Sequence, residues 1–134
     1  MAMSFATALR NARLDQITTR AGANALIRIY SGSRPSTGGT PTTLLAQLTC
    51  NATFAPAASS GVLTLNAISP ATSAAATGTA TWFRIVQSDG ATHVADGSVS
   101  TVAAGTGDMR LDDTSIVLGG TVALSSAIFS EANA

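Results

Sequence analysis

The sequence predicts a mainly β chain, an antiparallel β-sandwich of jelly-roll-like kind, with seven to eight short strands behind one N-terminal helix. Three observations predict it. From Ala25 onward the apolar residues recur with a period of two. Gly, Pro, Ser and Thr clusters punctuate that pattern about every eight to fifteen residues. Only one stretch, near the N-terminus, carries helical spacing. The 46% hydrophobic fraction is largely Ala, and aromatics are 4%, so the core has to be built from Ala, Val, Leu and Ile.

Residues 4–20, "SFATALRNARLDQITTR", read as the helix, with Ser4 as N-cap. Phe5, Leu9 and Ala12, with Ala8, form its apolar stripe; Leu14 and Ile17 lie partly off it, so the stripe is broad or the helix irregular. Gly22 stops it. A helix this short is marginal alone and needs a surface to lie on. Residues 1–24 are therefore expected as a helical arm and residues 25–134 as the β-sandwich domain.

In "ALIRIYSG", Leu26, Arg28 and Tyr30 share one side and Ile27 and Ile29 the other. Residues 32–42 are a turn-rich loop. "TLLAQLTC" is the next strand, followed by a connector to about Ser60, then "GVLTLNAI" as the third. "SPATSAAAT" is a small-residue loop. Residues 79–100, "TATWFRIVQSDGATHVADGSVS", read as a hairpin. Further strands are expected near 108–112, 115–118 and 120–129, with a Gly-Gly turn in "LGGT".

The hairpin gathers the chain's one Trp, one His, an Arg and two Asp, which invites an enzymatic reading. Asp89-Gly90 suits a two-residue type I′ turn. The register then pairs Val86 with His93, Ile85 with Val94, Arg84 with Ala95 and Phe83 with Asp96. Phe83, Ile85 and Val94 face the core, while Trp82, Arg84, Val86, His93 and Ala95 face outward. Asp89 sits at the tip and Asp96 at the open end, so the polar groups do not converge. A general acid or base needs a partner within hydrogen-bond reach, so no catalytic residue is assigned. An exposed Trp beside Arg has the composition of a protein–protein contact.

Other chemistry is thin. Cys50 is the only cysteine, so no intrachain disulfide or thiol cluster exists. Asp108, Asp112 and Asp113 lack EF-hand spacing and its closing Glu, and read as turn acids. "GSRPSTGG" has no Lys and is no P-loop. The "NAT" sequon at 51–53 is discounted, because no secretory signal precedes it. No run approaches the roughly 18 apolar residues of a membrane span. Cofactor and metal sites are not expected.

Charged residues are 10% of the chain, the net charge is zero, and all seven basic residues are Arg. Nucleic-acid binders need a basic face, so that class is disfavoured. A nearly uncharged Ser/Thr/Ala surface suits a protein packed against neighbours.

The segments "ALIRIYSGSRPSTGG", "TLLAQLT", "GVLTLNAISPATSAAATGTATWFRIVQSDGATHVADGSV" and "GDMRLDDTSIVLGGTVALSSAIF" resemble a family of small tailed-bacteriophage and prophage virion proteins, over about residues 10–130. The resemblance implies a non-enzymatic virion structural protein, made in the host cytoplasm. Size and class are similar to capsid decoration (cement) proteins, which implies the major capsid protein and the chain's own copies, as a homotrimer, for partners. Arg10, Arg13 and Arg20 are then expected to contact the shell, and Trp82, Arg84 and His93 other subunits. Two other readings stand beside it: a tail or head–tail joining protein, and a carbohydrate-binding β-sandwich using Trp82 and Tyr30 as platforms.

Overall fold

A computed structural model describes residues 4–130. One helix, α1 (Thr7–Ala21), precedes nine strands: β1 (Leu26–Tyr30), β2 (Leu44–Thr49), β3 (Val62–Thr64), β4 (Gly78–Thr79), β5 (Trp82–Val86), β6 (His93–Thr101), β7 (Met109–Leu111), β8 (Ser115–Ile116) and β9 (Ser126–Ser130). Seven form one sheet in the order β2-β1-β5-β6-β7-β9-β3, and β4 pairs with β8. The architecture is mainly β and sandwich-like, as the period-two pattern predicts.

The expected alternation in β1 holds. Ile27 and Ile29 are fully buried, and across the sheet they meet Leu48 and Ala46 on β2 and Ile85 and Phe83 on β5. Leu45, Leu63, Met109 and Leu111 complete the centre, and Phe54, from the connector after β2, fills it at 1% exposure. Each such side chain contributes roughly 1.5–3 kcal/mol on burial. Cys50 lies in the same core, and burial pushes its thiol up to about 12. Thiol reagents act on the thiolate. Cys50 should therefore stay unmodified by Ellman's reagent at pH 8 in the native protein and react promptly in denaturant, which a colorimetric time course checks.

The helix differs from expectation at its start and in its packed face. It begins at Thr7 rather than Ser4, and Ala6 at the N-cap position makes no side-chain cap. Its end is as read: Gly22, at φ 71°, donates its N–H to Thr18 O. Leu14 and Ala21 are the buried residues and Ile17 is partly buried, whereas Leu9 is 47% exposed and Ala8 and Ala12 are exposed. At 100° per residue the Leu9–Ala12 stripe lies opposite Leu14. Polar bonds fasten the helix beside the packed face. Asn11 Oδ1 accepts the Gly61 N–H at 2.8 Å, and Asp15 Oδ1 accepts the Ala58 N–H at 2.7 Å. Asn11 flanks Leu14, and Asp15 lies further round toward Ala8, so the two bonds hold one flank of α1 to the chain's own β domain while Leu14 packs beneath it.

One strand pair is parallel, against the all-antiparallel expectation: β6 with β7, in the register Val99–Met109 to Thr101–Leu111. The chain reverses through residues 102–108 and returns alongside itself within a few residues. Parallel neighbours usually need a crossover of a dozen or more residues. Here hydrogen bonds hold the tight return. Gly107 N–H donates to Ser100 Oγ, Val102 N–H to Leu111 O, and Arg110 Nη2 to Gly105 O. Asp108 Oδ2 accepts from Ser98 N–H.

Both outer strands of the main sheet have edge groups engaged by neighbouring segments. On β2, Leu45 O accepts the Ala75 N–H and Thr49 O accepts the Ser69 N–H. On β3, Val62 exchanges both backbone hydrogen bonds with Ser59. The small-residue segment 69–80 is thus an ordered ribbon. Its other edge runs along residues 114–122 through Ala71–Val122, Ala74–Gly120 and the β4–β8 pair. The expected Gly-Gly turn spans 117–120, with Gly119 at φ 82° and Gly120 N–H on Val117 O.

Candidate functional site

The hairpin of β5 and β6 places the polar residues that the sequence singles out. Its tip is not the two-residue type I′ turn. Gly90 has φ 74° and donates its N–H to Gln87 O, while Asp89 is absent from the positive-φ residues. The result is a four-residue loop over 88–91 built on a type I turn. The Asp89 carboxylate stabilises it by accepting from the Thr92 hydroxyl and from the N–H groups of Thr92 and Ala91; these bonds hold its pKa at about 2.

The predicted pairing of Val86 with His93 survives. One residue later the register slips, because Val94 is an extra residue in β6. Ile85 meets Ala95, Arg84 meets Asp96, and Phe83 meets Gly97. A bulge reverses the facing of every residue beyond it. Asp96 therefore leaves the core face and joins Arg84 and His93 outside. The expectation that these groups diverge is corrected: three of the four converge, and only Asp89 stays apart.

Arg84 and Asp96 form a bidentate pair, Nε to Oδ1 at 2.7 Å and Nη2 to Oδ2 at 3.0 Å. His93 Nε2 lies 3.1 Å from Oδ1. The Gly38 N–H donates to Oδ2 at 3.1 Å. The Asp96 side chain is 3% exposed. Burial pushes its pKa up, but the bonds from Arg84, Gly38 and His93 outweigh that and hold it at about 2. Beside the pair, the Tyr30 and Trp82 rings stack with centroids 4.3 Å apart, and the Arg84 guanidinium sits 5.3 Å from the Trp82 ring centroid.

The donor is Gly38 because residues 31–43 fold back over this face as a strap. Thr42 Oγ1 accepts the Trp82 indole N–H at 2.9 Å, and Gly32 O accepts the Thr81 hydroxyl. The expected exposed Trp is consequently 1% exposed, and Arg84 is 8% exposed. Neither presents itself to a partner in this conformation, because the chain supplies its own cover. Both Asp96 oxygens are engaged by donors from the sheet and from the strap, so the carboxylate pins the two together.

The other sequence-selected residues lie elsewhere. Arg20 closes α1 onto the hairpin, with Nε and Nη2 donating to His93 O at 3.3 and 3.2 Å, and Gln87 Nε2 returns a bond to Arg20 O. Arg13 lies over the Phe5 ring at 4.9 Å, and Arg10 Nη2 donates to Thr7 Oγ1. Asp112 accepts from Ser125 Oγ and Asp113 from Ser115 N–H, beside an open groove of about 400 Å³ reaching to Ala123. Among the described residues, no group of three or more His, Cys, Asp or Glu side chains is placed to hold a metal. No described helix is long and apolar enough to cross a membrane.

Sequence reasoning missed Asp96, Tyr30, Thr42 and Gly38 as parts of one cluster. Gly97 was the available signal, since a strand-interior glycine marks a bulge or a close approach. A Cβ there would lie 2.5 Å from the Phe83 ring. The fold and the site together define a mainly β, sandwich-like protein with a strapped outer face. Compared with family models, characterised proteins and solved structures, the chain matches none.

Proposed function

We propose that this chain is a non-enzymatic structural protein of a tailed-bacteriophage virion, a capsid decoration protein that stabilises the head by packing against capsid subunits and its own copies. The observation that carries the reading is the surface: no Lys, seven Arg, 10% charged residues and zero net charge. Ser, Thr and Ala lose less side-chain entropy and less hydration on contact than Lys or Glu. The sequence resemblance to phage virion proteins supports the same reading.

On this reading the contact surface lies away from Trp82 and Arg84. With Trp82 and Arg84 beneath the strap, the large apolar groups offered outward among the described residues are Leu9 on α1, with Ala8 and Ala12 beside it, Val117 and Leu118 at the 117–120 turn, 65% and 64% exposed, and Val102 and Ile128. Deleting the helix would strip Leu14 and Ala21 from the core, so point changes test the reading better. Leu9→Asp with Ala12→Glu should leave the melting temperature within a few degrees and cut occupancy on empty heads at least about tenfold, a loss of about 1.4 kcal/mol. Co-sedimentation with heads measures it, and unchanged occupancy would exclude this face. Native mass measurement separates the positions in the particle. A trimer supports decoration, whereas a ring of six or twelve would move the protein to the tail or the head–tail joint.

A further inference from the structure

Residues 31–43 begin and end at one point. Ser31 N–H donates to Thr43 O at 3.1 Å, and the Thr42 hydroxyl bonds Ser31 O. A segment of this length with a pinched neck is an Ω-loop. Its tip is a separate turn over 36–39, with Gly39 N–H on Ser36 O at 2.7 Å and Gly38 at φ 75°. Gly32, at φ 80°, sits at the neck. The loop is thus tied within itself at both ends and tied to the sheet by separate bonds: Gly38 to Asp96, Trp82 to Thr42, and Thr81 to Gly32.

Each sheet-side group keeps a partner if the loop lifts. Asp96 retains both Arg84 bonds and His93. The Trp82 indole N–H and the Thr81 hydroxyl turn to water, and Thr81 Oγ1 also lies 3.4 Å from Tyr30 O. No buried charge is orphaned, which is the condition under which a segment opens without unfolding what lies beneath it. The sheet under the strap is held independently, since β1, β2, β5 and β6 pair continuously.

We propose that residues 31–43 are a hinged cover, latched at its tip by the Asp96 carboxylate, which opens as a unit and uncovers the Tyr30–Trp82 stack with Arg84 at its side. Opening converts a sealed sheet face into a flat aromatic and cationic surface. The proposal rests on the loop's own geometry and is independent of the virion reading.

The chain has one tryptophan, and it lies under the strap, so its fluorescence reports opening in the isolated protein. Acrylamide quenching and amide exchange by NMR are the measurements. The Gly38 amide, whose bond crosses to the sheet, should exchange at least about a hundredfold faster than those of Ile27, Ile29 and Ile85. Thr42→Val, which keeps the side-chain shape but removes the acceptor for the indole, should raise Trp82 quenching at temperatures far below the melting transition. Asp96→Asn should raise Gly38 exchange further while Ile29 exchange follows global stability only. If Gly38 exchange, or Trp82 quenching, changes only in step with Ile27, Ile29 and Ile85, the strap is a fixed part of the fold and the proposal fails.

Discussion

Replacing Asp96 by Asn should destabilise the protein by about 3–5 kcal/mol, the usual consequence of leaving a buried charge without its partner. For a domain of this size that lowers the melting temperature on the order of 10–20 °C. The charge left behind is Arg84, whose side chain is 10% exposed and whose Nε and Nη2 both point at Asp96. Arg84→Met alone should cost a similar amount, because Asp96 would keep only His93 and Gly38. The pair Arg84→Met with Asp96→Leu should recover most of the loss, since a buried ion pair exchanged for apolar groups of similar volume is often close to neutral. A double-mutant cycle by urea denaturation measures the coupling. Additive single effects would show that the pair is not the source.

The same carboxylate sets an acid limb. Its folded pKa of about 2 lies below the unfolded value of about 3.9. A depressed carboxyl contributes stability that is fully present above about pH 4 and is lost as pH falls toward 2. Asp89, also held at about 2, adds to this window from the hairpin tip. Stability of the parent should therefore fall between pH 4 and 2. The Asp96→Asn variant should show a shallower slope there, retaining the Asp89 part.

Gly107→Ala should be the most damaging glycine change, at about 3 kcal/mol, the upper end for overpacking. A Cβ at Gly107 would stand 2.5 Å from Ser100 N, 2.8 Å from Val99 C and 2.9 Å from Met109 O. All three are backbone atoms, so no side chain can swing aside. Relief requires separating β6 from β7 where the chain presses back on itself. Gly119→Ala is the matched control: φ is 82° there, but no atom lies within 4 Å of the new carbon. It should cost only the left-handed backbone strain of about 1–2 kcal/mol. Thermal melts of the two variants check the ranking, and equal losses would show that the tight return does not constrain Gly107.

Part of this was legible in the sequence. The alternation in "LIRIY" put Ile27 and Ile29 on one face together, Gly22 ended the helix, and Val86 faced His93, each by a local rule that tertiary packing left standing. The failures share a cause: the deciding interaction was distant in sequence. On α1 the expected stripe was Phe5, Leu9 and Ala12, but the packed side is that of Leu14, Ile17 and Ala21, and Asn11 and Asp15 tie the helix to N–H groups more than forty residues away. The bulge at Val94 moved Asp96 by one position, and one position is a whole face in a strand. The strap read as a plain turn-rich loop, because nothing in its composition says that Gly38 reaches residue 96 or that Thr42 meets the indole. Period and composition report the class of each segment; hydrogen bonds across the sheet assemble the site.

The engaged edges of the outer strands have one more consequence. Most proteins stay dispersed partly because like charges keep copies apart, and this chain at zero net charge cannot use that. Open β-edges in such a chain would template cross-β aggregation. The 69–80 ribbon on β2 and the Ser59–Val62 closure of β3 occupy backbone groups that would seed it. Colloidal stability here is a property of topology rather than of charge.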